Sequence, residues 1–145
     1  MTTTIVAVLV LIAIAGVIIY NRLIRSRNRV GTAWSDIDVQ LQRRHDLVPR
    51  LVAAVDQYAN YERATLEAVT ELRTEAMQQA EVRARGKAEQ KLSAGIERII
   101  ALAENYPDLK ANESFLNLQN ELVETENYLQ FARRYYNGSV RDYNP

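Results

Sequence analysis

The side chains that could perform acid–base chemistry are few in this sequence. The chain has one histidine, His45, and Asp46 follows it directly, so the two could form a pair that holds a general base. The neighbouring helical turn carries Leu41 and Gln42, and it places no serine, cysteine or second carboxylate in register. We therefore interpret His45 as a residue of a turn, and an enzyme built on it is the less favoured hypothesis.

The chain is equally poor in metal ligands and phosphate-binding motifs. It has no cysteine, which excludes disulfides, thiolate chemistry and cysteine-based metal sites. One histidine and scattered carboxylates give no spacing typical of a zinc or calcium site, and no glycine-rich phosphate loop occurs. The sequence therefore predicts a protein that is not an enzyme, with no catalytic residue, no metal and no cofactor.

Arg43 and Arg44 are the next residues that could bind a charged ligand. No aromatic stacking platform accompanies them, and from Leu51 onward eleven Lys or Arg face fifteen Asp or Glu, a net charge of −4. This pattern is not that of a nucleic-acid-binding protein, so no nucleic-acid partner is expected. Helix capping or ion pairing near a turn is the favoured role of both arginines.

A cluster near the C-terminus has the composition of a protein-binding surface. Residues 133–137 read Arg-Arg-Tyr-Tyr-Asn. Tyr136 falls on the apolar seam of a predicted helix, whereas Tyr135 lies about 100° away from it. Because tyrosine and arginine are enriched at interface hot spots, Arg134 and Tyr135 are candidate partner contacts.

Trp34, Asp36 and Asp38 form a third polar and aromatic group. Helical spacing places Trp34 on an apolar face, which favours packing in the core. The two aspartates project about 200° apart on a helix, so they cannot act as one carboxylate pair. Ion pairing with an arginine on a neighbouring helix is the favoured role of these carboxylates.

The N-terminal segment has the length and composition of a membrane span. No charged side chain occurs from Met1 to Asn21, and residues 5–19 are apolar on every helical face. With its flanks the segment reaches about 19 residues, close to the 20 that cross a bilayer. Four arginines come after it, and they are candidate contacts for anionic lipid headgroups: Arg22, Arg25, Arg27 and Arg29. The positive-inside rule then places the N-terminus outside and the rest in the cytoplasm.

A cleaved signal peptide is the competing interpretation of the same segment. Ala13, Ile14 and Ala15 loosely fit a small-residue cleavage site. However, the N-terminus lacks the expected positive residues, and the arginine cluster would oppose export of the rest of the chain. We therefore favour a permanent anchor in the cell membrane.

Apolar spacing of three and four residues predicts helices along the rest of the chain. The first helix should continue from the membrane to about Arg44 and end in a tight turn over residues 45–49, where Asp46 caps the next helix. That helix should run from Val48 to Ala76 and fade into a loop around Gly86.

A third helix is expected from Leu92 to a point before Pro107. The fourth should be capped by Asn112 and carry a heptad seam to Tyr143, interrupted near Gly138. The predicted fold class is all-α: a transmembrane helix (1–21) with a short extracytoplasmic N-terminus, continuing into an elongated antiparallel helical bundle in the cytoplasm (22–145).

Several segments of the sequence resemble the LemA family of bacterial membrane proteins. They are Arg27–Leu41, Arg43–Pro49, Glu104–Asn112, Arg133–Asn137 and Val140–Asn144. The resemblance implies a helical bundle behind a single span and no established enzymatic activity. Because some family members are encoded beside membrane metalloproteases, it also implies a membrane protease as a partner. One branch of the family resembles proteins of magnetosome membrane biogenesis, and members usually continue into a longer tail that contains a Phe-Pro pair.

The sequence supports two functional hypotheses. The first is a non-enzymatic membrane-anchored scaffold or adaptor that forms a homo-oligomer through the coiled-coil-like seam, or holds partner proteins at the cytoplasmic face. The alternative is a membrane-shaping or anionic-lipid-binding protein. The arginine cluster motivates it, because seven Arg against three Asp give residues 21–50 a net charge of +4.

Overall fold

The computed structural model describes residues 1–144, which form helices and turns and contain no strand. The elements in chain order are α1 (Thr2–Asp56), a 3-10 turn (Asn60–Glu62), α2 (Arg63–Gln78), α3 (Val82–Ala103), α4 (Pro107–Lys110) and α5 (Glu113–Tyr143). Strong helix formers dominate the composition, and glycine and proline are rare. The predicted all-α class is confirmed, and the apolar N-terminal helix continues without a break into a helix of the bundle.

The first part of α1 is an apolar helix with no protein packed against it. Every residue from 1 to 23 is exposed, and Ile19 keeps 67% of its surface accessible. Apolar surface on this scale is unfavourable in water, whereas a bilayer core accommodates it. Among residues 1–144, α1 is the one helix long and apolar enough to cross a membrane.

The turn predicted at residues 45–49 is wrong, because α1 continues through Pro49 to Asp56. A proline inside a helix leaves the carbonyl four residues earlier without its usual N–H donor. That carbonyl belongs to His45, and Nε of Arg73 donates a hydrogen bond to it at 2.7 Å. Asp46 caps no helix here, and its carboxylate accepts a hydrogen bond from the Gln42 amide at 3.0 Å.

The breaks between helices differ from the predicted ones. The helix predicted from Val48 to Ala76 is interrupted between Asp56 and Arg63, and the next break is at residues 79–81 rather than around Gly86. Gly86 lies inside α3, flanked by alanine, arginine and lysine. One glycine costs a helix only about 1 kcal/mol, which such neighbours offset. Gly138 likewise does not interrupt α5.

The predicted end of the third helix and start of the last one are confirmed. Helix α3 ends at Ala103, ahead of Pro107, which opens the short α4 where its missing N–H has no helical partner to lose. The side-chain oxygen of Asn112 then accepts a hydrogen bond from the backbone N–H of Phe115 at 3.1 Å. This is the N-cap bond expected of an asparagine at the start of α5.

The chain divides into two compact units. Unit 2 (Gln40–Tyr128) contains the end of α1, all of α2, α3 and α4, and the start of α5. Within it α1 and α5 are antiparallel, since Arg43 pairs with Glu124 and Arg50 with Glu121. Its core includes these fully buried side chains: Val48, Leu51, Val55, Leu92, Ile99, Leu109 and Phe115.

Unit 1 (Met1–Val39 with 129–144) contains the first part of α1 and the end of α5. These two segments are also antiparallel, because Trp34 faces Tyr136 whereas Arg29 lies beside Asp142. Its interface buries the apolar side chains Ala33, Ile37, Leu129 and Ala132. A two-helix interface of this size covers only one side of each helix.

Candidate functional site

A charged network is buried inside unit 2, and Arg44 of α1 is its centre. The Arg44 side chain is 3% exposed, and its guanidinium pairs through Nη2 with the carboxylate of Glu89 on α3. Nη1 donates to Oγ of Ser93 at 2.7 Å and to Oε2 of Glu126 at 3.1 Å. The guanidinium of arginine carries several N–H donors, so this one side chain bonds to residues of α3 and α5 and ties three helices together.

His45 joins the same network from the next position of α1. Its Nε2 lies 2.7 Å from Oε1 of Glu89, and both side chains are at most 2% exposed. An ionised carboxylate can only accept hydrogen bonds, so the imidazole donates here. The predicted placement of His45 in a turn is therefore wrong, because this residue is buried in the middle of a helix.

The charge state of Glu89 follows from its surroundings. Burial raises the pKa of this carboxyl, but hydrogen bonds from His45 and Arg44, together with the positive charge of Arg44, hold its pKa below the ordinary value. Glu89 is consequently ionised at neutral pH. A buried carboxylate that is paired on both oxygens is a satisfied structural group rather than a reactive one.

The predicted ion pairing of the two adjacent arginines is confirmed, although no turn lies near them. Arg43 pairs with Glu124 at 2.9 Å on the surface, whereas Arg44 points into the core. Sequence reasoning missed Glu89 altogether. The signal was present, since Glu89 precedes Leu92 and Ile96 by three and seven residues and so shares their buried face.

The candidate partner contacts lie on the outside of α5. Arg134 and Tyr135 are both exposed, and Phe131, which sequence reasoning did not single out, keeps 63% of its surface accessible. The spacings of three and four residues place these side chains together on one helical face. We call Phe131, Arg134 and Tyr135 the α5 patch. The neighbouring Tyr136 points the other way and packs against Trp34, with ring centroids 5.4 Å apart.

The candidate headgroup contacts all lie on the part of α1 that comes after the apolar segment. All four arginines are exposed, and Arg29 approaches Asp142 at 3.8 Å. Asp36 and Asp38 are also exposed. Within residues 1–144 no group of three or more His, Asp or Glu side chains stands where it could hold a metal ion.

Comparison with known proteins places this geometry in a family. The model of the LemA family matches residues 33–145, which cover the buried network and the α5 patch. The chain belongs to the LemA family. The family resemblance of the sequence motifs is thereby confirmed, while the apolar helix and the four arginines after it lie outside the matched residues.

A LemA relative of known sequence extends the comparison. Protein LemA from Metamycoplasma hominis is 27% identical over 128 residues, which cover 86% of this chain. The LemA-family chain described here spans 57% of the length of that relative. Its name states no substrate, ligand or partner.

Proposed function

We propose that this LemA-family chain is a non-enzymatic adaptor of the cell membrane. Helix α1 anchors it, and the α5 patch holds a partner protein or a second copy of the chain at the cytoplasmic face. The observation that carries the proposal is the exposure of the patch, above all that of Phe131 at 63%. Covering a large aromatic side chain with a partner surface is favourable, because it removes apolar area from water.

The composition of the patch supports a protein partner. Tryptophan, tyrosine and arginine are enriched at interface hot spots. Phe131, Arg134 and Tyr135 combine aromatic side chains with arginine within five residues of one helix. Arg134 forms no ion pair with any residue between 1 and 144, so its guanidinium is available to an acidic group of a partner.

The membrane anchoring is supported by the bare apolar part of α1. Its orientation is supported by the four arginines next to that part, since positive residues remain on the cytoplasmic side. By the same rule, the N-terminus lies outside the cell. A membrane protease is the partner class that the family resemblance makes the first to seek.

The absence of catalysis is supported by the state of the single histidine. His45 is 2% exposed and its Nε2 is engaged by Glu89, so its imidazole cannot reach a substrate in the folded chain. An enzyme built on His45 would lose its activity in a His45→Gln variant that still folds and reaches the membrane. We expect that variant to retain partner binding.

Site-specific photo-crosslinking in native membranes tests the proposal. A photoreactive residue at Phe131 should give a discrete adduct, whereas the same residue at Arg133 should not. Arg133 is a matched control because it is exposed on the same helix and lies about 160° around the helix from Phe131. An adduct of twice the 16.6 kDa chain mass would identify self-association, and any other mass a partner protein. Monomers alone at both positions, with no co-purifying protein, would contradict the proposal.

A further inference from the structure

The two units carry opposite net charges. Unit 1 contains seven Arg and three Asp, a net charge of +4, and unit 2 contains eleven Lys or Arg and fifteen Asp or Glu, a net charge of −4. In the sequence the three arginines of α5 (Arg133, Arg134 and Arg141) stand about a hundred residues from those beside the apolar segment. The fold brings both sets into one unit. The unit that contains the membrane helix is therefore the basic one.

The distance between the end of α5 and the membrane can be estimated along α1. Tyr20 directly follows the apolar residues 5–19, so we take it as the edge of the hydrocarbon core. Arg29 comes nine residues later, which is about 14 Å along a helix at 1.5 Å per residue. The carboxylate of Asp142 lies 3.8 Å from the guanidinium of Arg29, so the last turn of α5 is at about the same distance from the membrane as Arg29. A typical tilt of about 20° changes this estimate little.

This distance brings Arg141 within range of lipid headgroups. The headgroup layer extends about 6 Å beyond the hydrocarbon core, which leaves about 8 Å to the last turn of α5. This is close to the Debye length of about 8 Å at physiological ionic strength. Arg141 lies in that last turn and is exposed, and a long arginine side chain can extend toward the interface.

Four of the arginines nearest the membrane have no acidic partner among residues 1–144. Arg22, Arg25, Arg27 and Arg141 form no ion pair among the residues that the structure describes, whereas Arg29 has Asp142 beside it. Arg133 and Arg134 lie about two turns further from the membrane than Arg141, beyond the screening length. The basic surface that faces the bilayer is thus made of α1 and the last turn of α5.

We propose that unit 1 binds anionic phospholipid headgroups through two helices at once, with Arg22, Arg25 and Arg27 on α1 and Arg141 on α5. Charge complementarity identifies the occupant, because the cytoplasmic leaflet is anionic and attracts basic segments beside a membrane helix. The consequence is a second membrane contact, which fixes the end of α5 at the bilayer surface. This inference rests on the membrane anchoring proposed above, and it is independent of the α5 patch.

A spin label at the end of α5 tests the inference in the full-length chain. Because the chain has no cysteine, Asn144→Cys gives one labelling site, and its backbone N–H still bonds to Val140 at 2.9 Å. The chain is placed in nanodiscs of phosphatidylcholine alone or of an equimolar mixture with phosphatidylglycerol. In the anionic discs we expect collisions of the label with a water-soluble nickel chelate to fall several-fold. High salt should reverse that change.

Two charge reversals on the same helix separate this site from a general effect of charge. Arg141→Glu should abolish the response to anionic lipid, and Arg141→Lys should keep most of it. Arg133→Glu makes the same change of charge about two turns away, at an arginine outside the α5 patch, and should leave the response intact. Equal effects of Arg141→Glu and Arg133→Glu, or the same label environment in both kinds of disc, would overturn the inference.

Two further outcomes distinguish a failure of the membrane anchoring, a failure of the lipid contact, and the binding of a free anion. A chain that does not enter the discs contradicts the anchoring itself, whereas an anchored chain without a lipid response contradicts only the inference. Inorganic phosphate added to phosphatidylcholine discs should leave the label unchanged. If phosphate reproduces the effect of phosphatidylglycerol, the site recognises a free anion and the proposed membrane contact is wrong.

Discussion

The backbone carbonyl of His45 accepts its hydrogen bond from Nε of Arg73, which is 28 positions further along the chain. The bond fills the place of the N–H that Pro49 lacks, four residues after His45 in α1. The backbone hydrogen bond that Pro49 removes from α1 is therefore replaced by a hydrogen bond from a side chain of α2. This explains how α1 continues through the exposed Pro49 in unit 2.

A double-mutant cycle tests this repair. Arg73→Met leaves the His45 carbonyl without a donor and should destabilise the chain by about 1–3 kcal/mol. In a Pro49→Ala background the new N–H of residue 49 can bond to that carbonyl, so the same Arg73→Met change should cost much less. Urea unfolding of the full-length chain in mild detergent, monitored by circular dichroism, measures both costs. Equal costs in the two backgrounds would show that Arg73 does not act through this carbonyl.

The buried pair of Arg44 and Glu89 should be among the most sensitive positions of the fold. Arg44→Met leaves Glu89 buried without its main partner, which should cost about 3–5 kcal/mol of unfolding free energy. The matched control is Arg50→Met, which breaks the exposed pair with Glu121 and should cost at most about 1 kcal/mol. The same unfolding assay compares them, and similar costs would contradict the buried network.

The stabilisation from Glu89 should depend on pH with a definite sign. Because the folded pKa of Glu89 is depressed, its contribution is fully present above the unfolded value of about 4.3. It is lost as the pH falls from that value through the lower folded pKa. Stability should therefore fall more steeply below about pH 4.3 in the wild type than in Glu89→Gln. The charged or titratable groups that face this carboxyl are Arg44 and His45. Unfolding curves with parallel acid dependence in both proteins would refute this assignment.

The crossing of α2 and α3 should tolerate no added side chain at Gly95. A Cβ atom there would meet Val69 Cγ2 at 3.0 Å and Leu72 Cδ1 at 3.2 Å. Gly95→Leu should therefore destabilise the chain by about 1–3 kcal/mol, despite its better helix propensity. Gly86→Leu is the matched control on the same helix, since nothing lies within 4 Å of a Cβ at that position. That variant should stabilise the chain by up to about 1 kcal/mol. A neutral Gly95→Leu would mean that the two helices are not in close contact.

Much of this architecture could be predicted from local patterns. Three features depend on residues that are close together in sequence and could therefore be predicted from it. They are the apolar segment, the end of α3 ahead of Pro107 and the Asn112 cap. Pro49 was misleading because its cost to α1 is offset by Arg73, a residue of another helix. No local pattern around Pro49 contains that information.

The buried pair of Arg44 and Glu89 could have been predicted from the sequence, but it was missed. Arg44 lies between Leu41 and Val48 on the buried face of α1, at their spacings of three and four residues. Glu89 holds the equivalent place beside Leu92 on α3. Two opposite charges, each in the apolar seam of its helix, predict a buried ion pair once both helices are given their true lengths. The expected turn over residues 45–49 concealed this pattern, because it ended the helix at Arg44.

We propose that α1 holds the chain in the cell membrane with the bundle in the cytoplasm. The most direct test of this topology uses single cysteines at Thr3 and at Ser114, both exposed, in a chain that has no other cysteine. We expect both variants to remain in the membrane fraction after an alkaline wash. A membrane-impermeant maleimide should label Thr3→Cys in intact cells, but Ser114→Cys only after permeabilisation. Labelling of Ser114→Cys in intact cells, or recovery of a chain trimmed near Ala15 from the aqueous fraction, would contradict the claim.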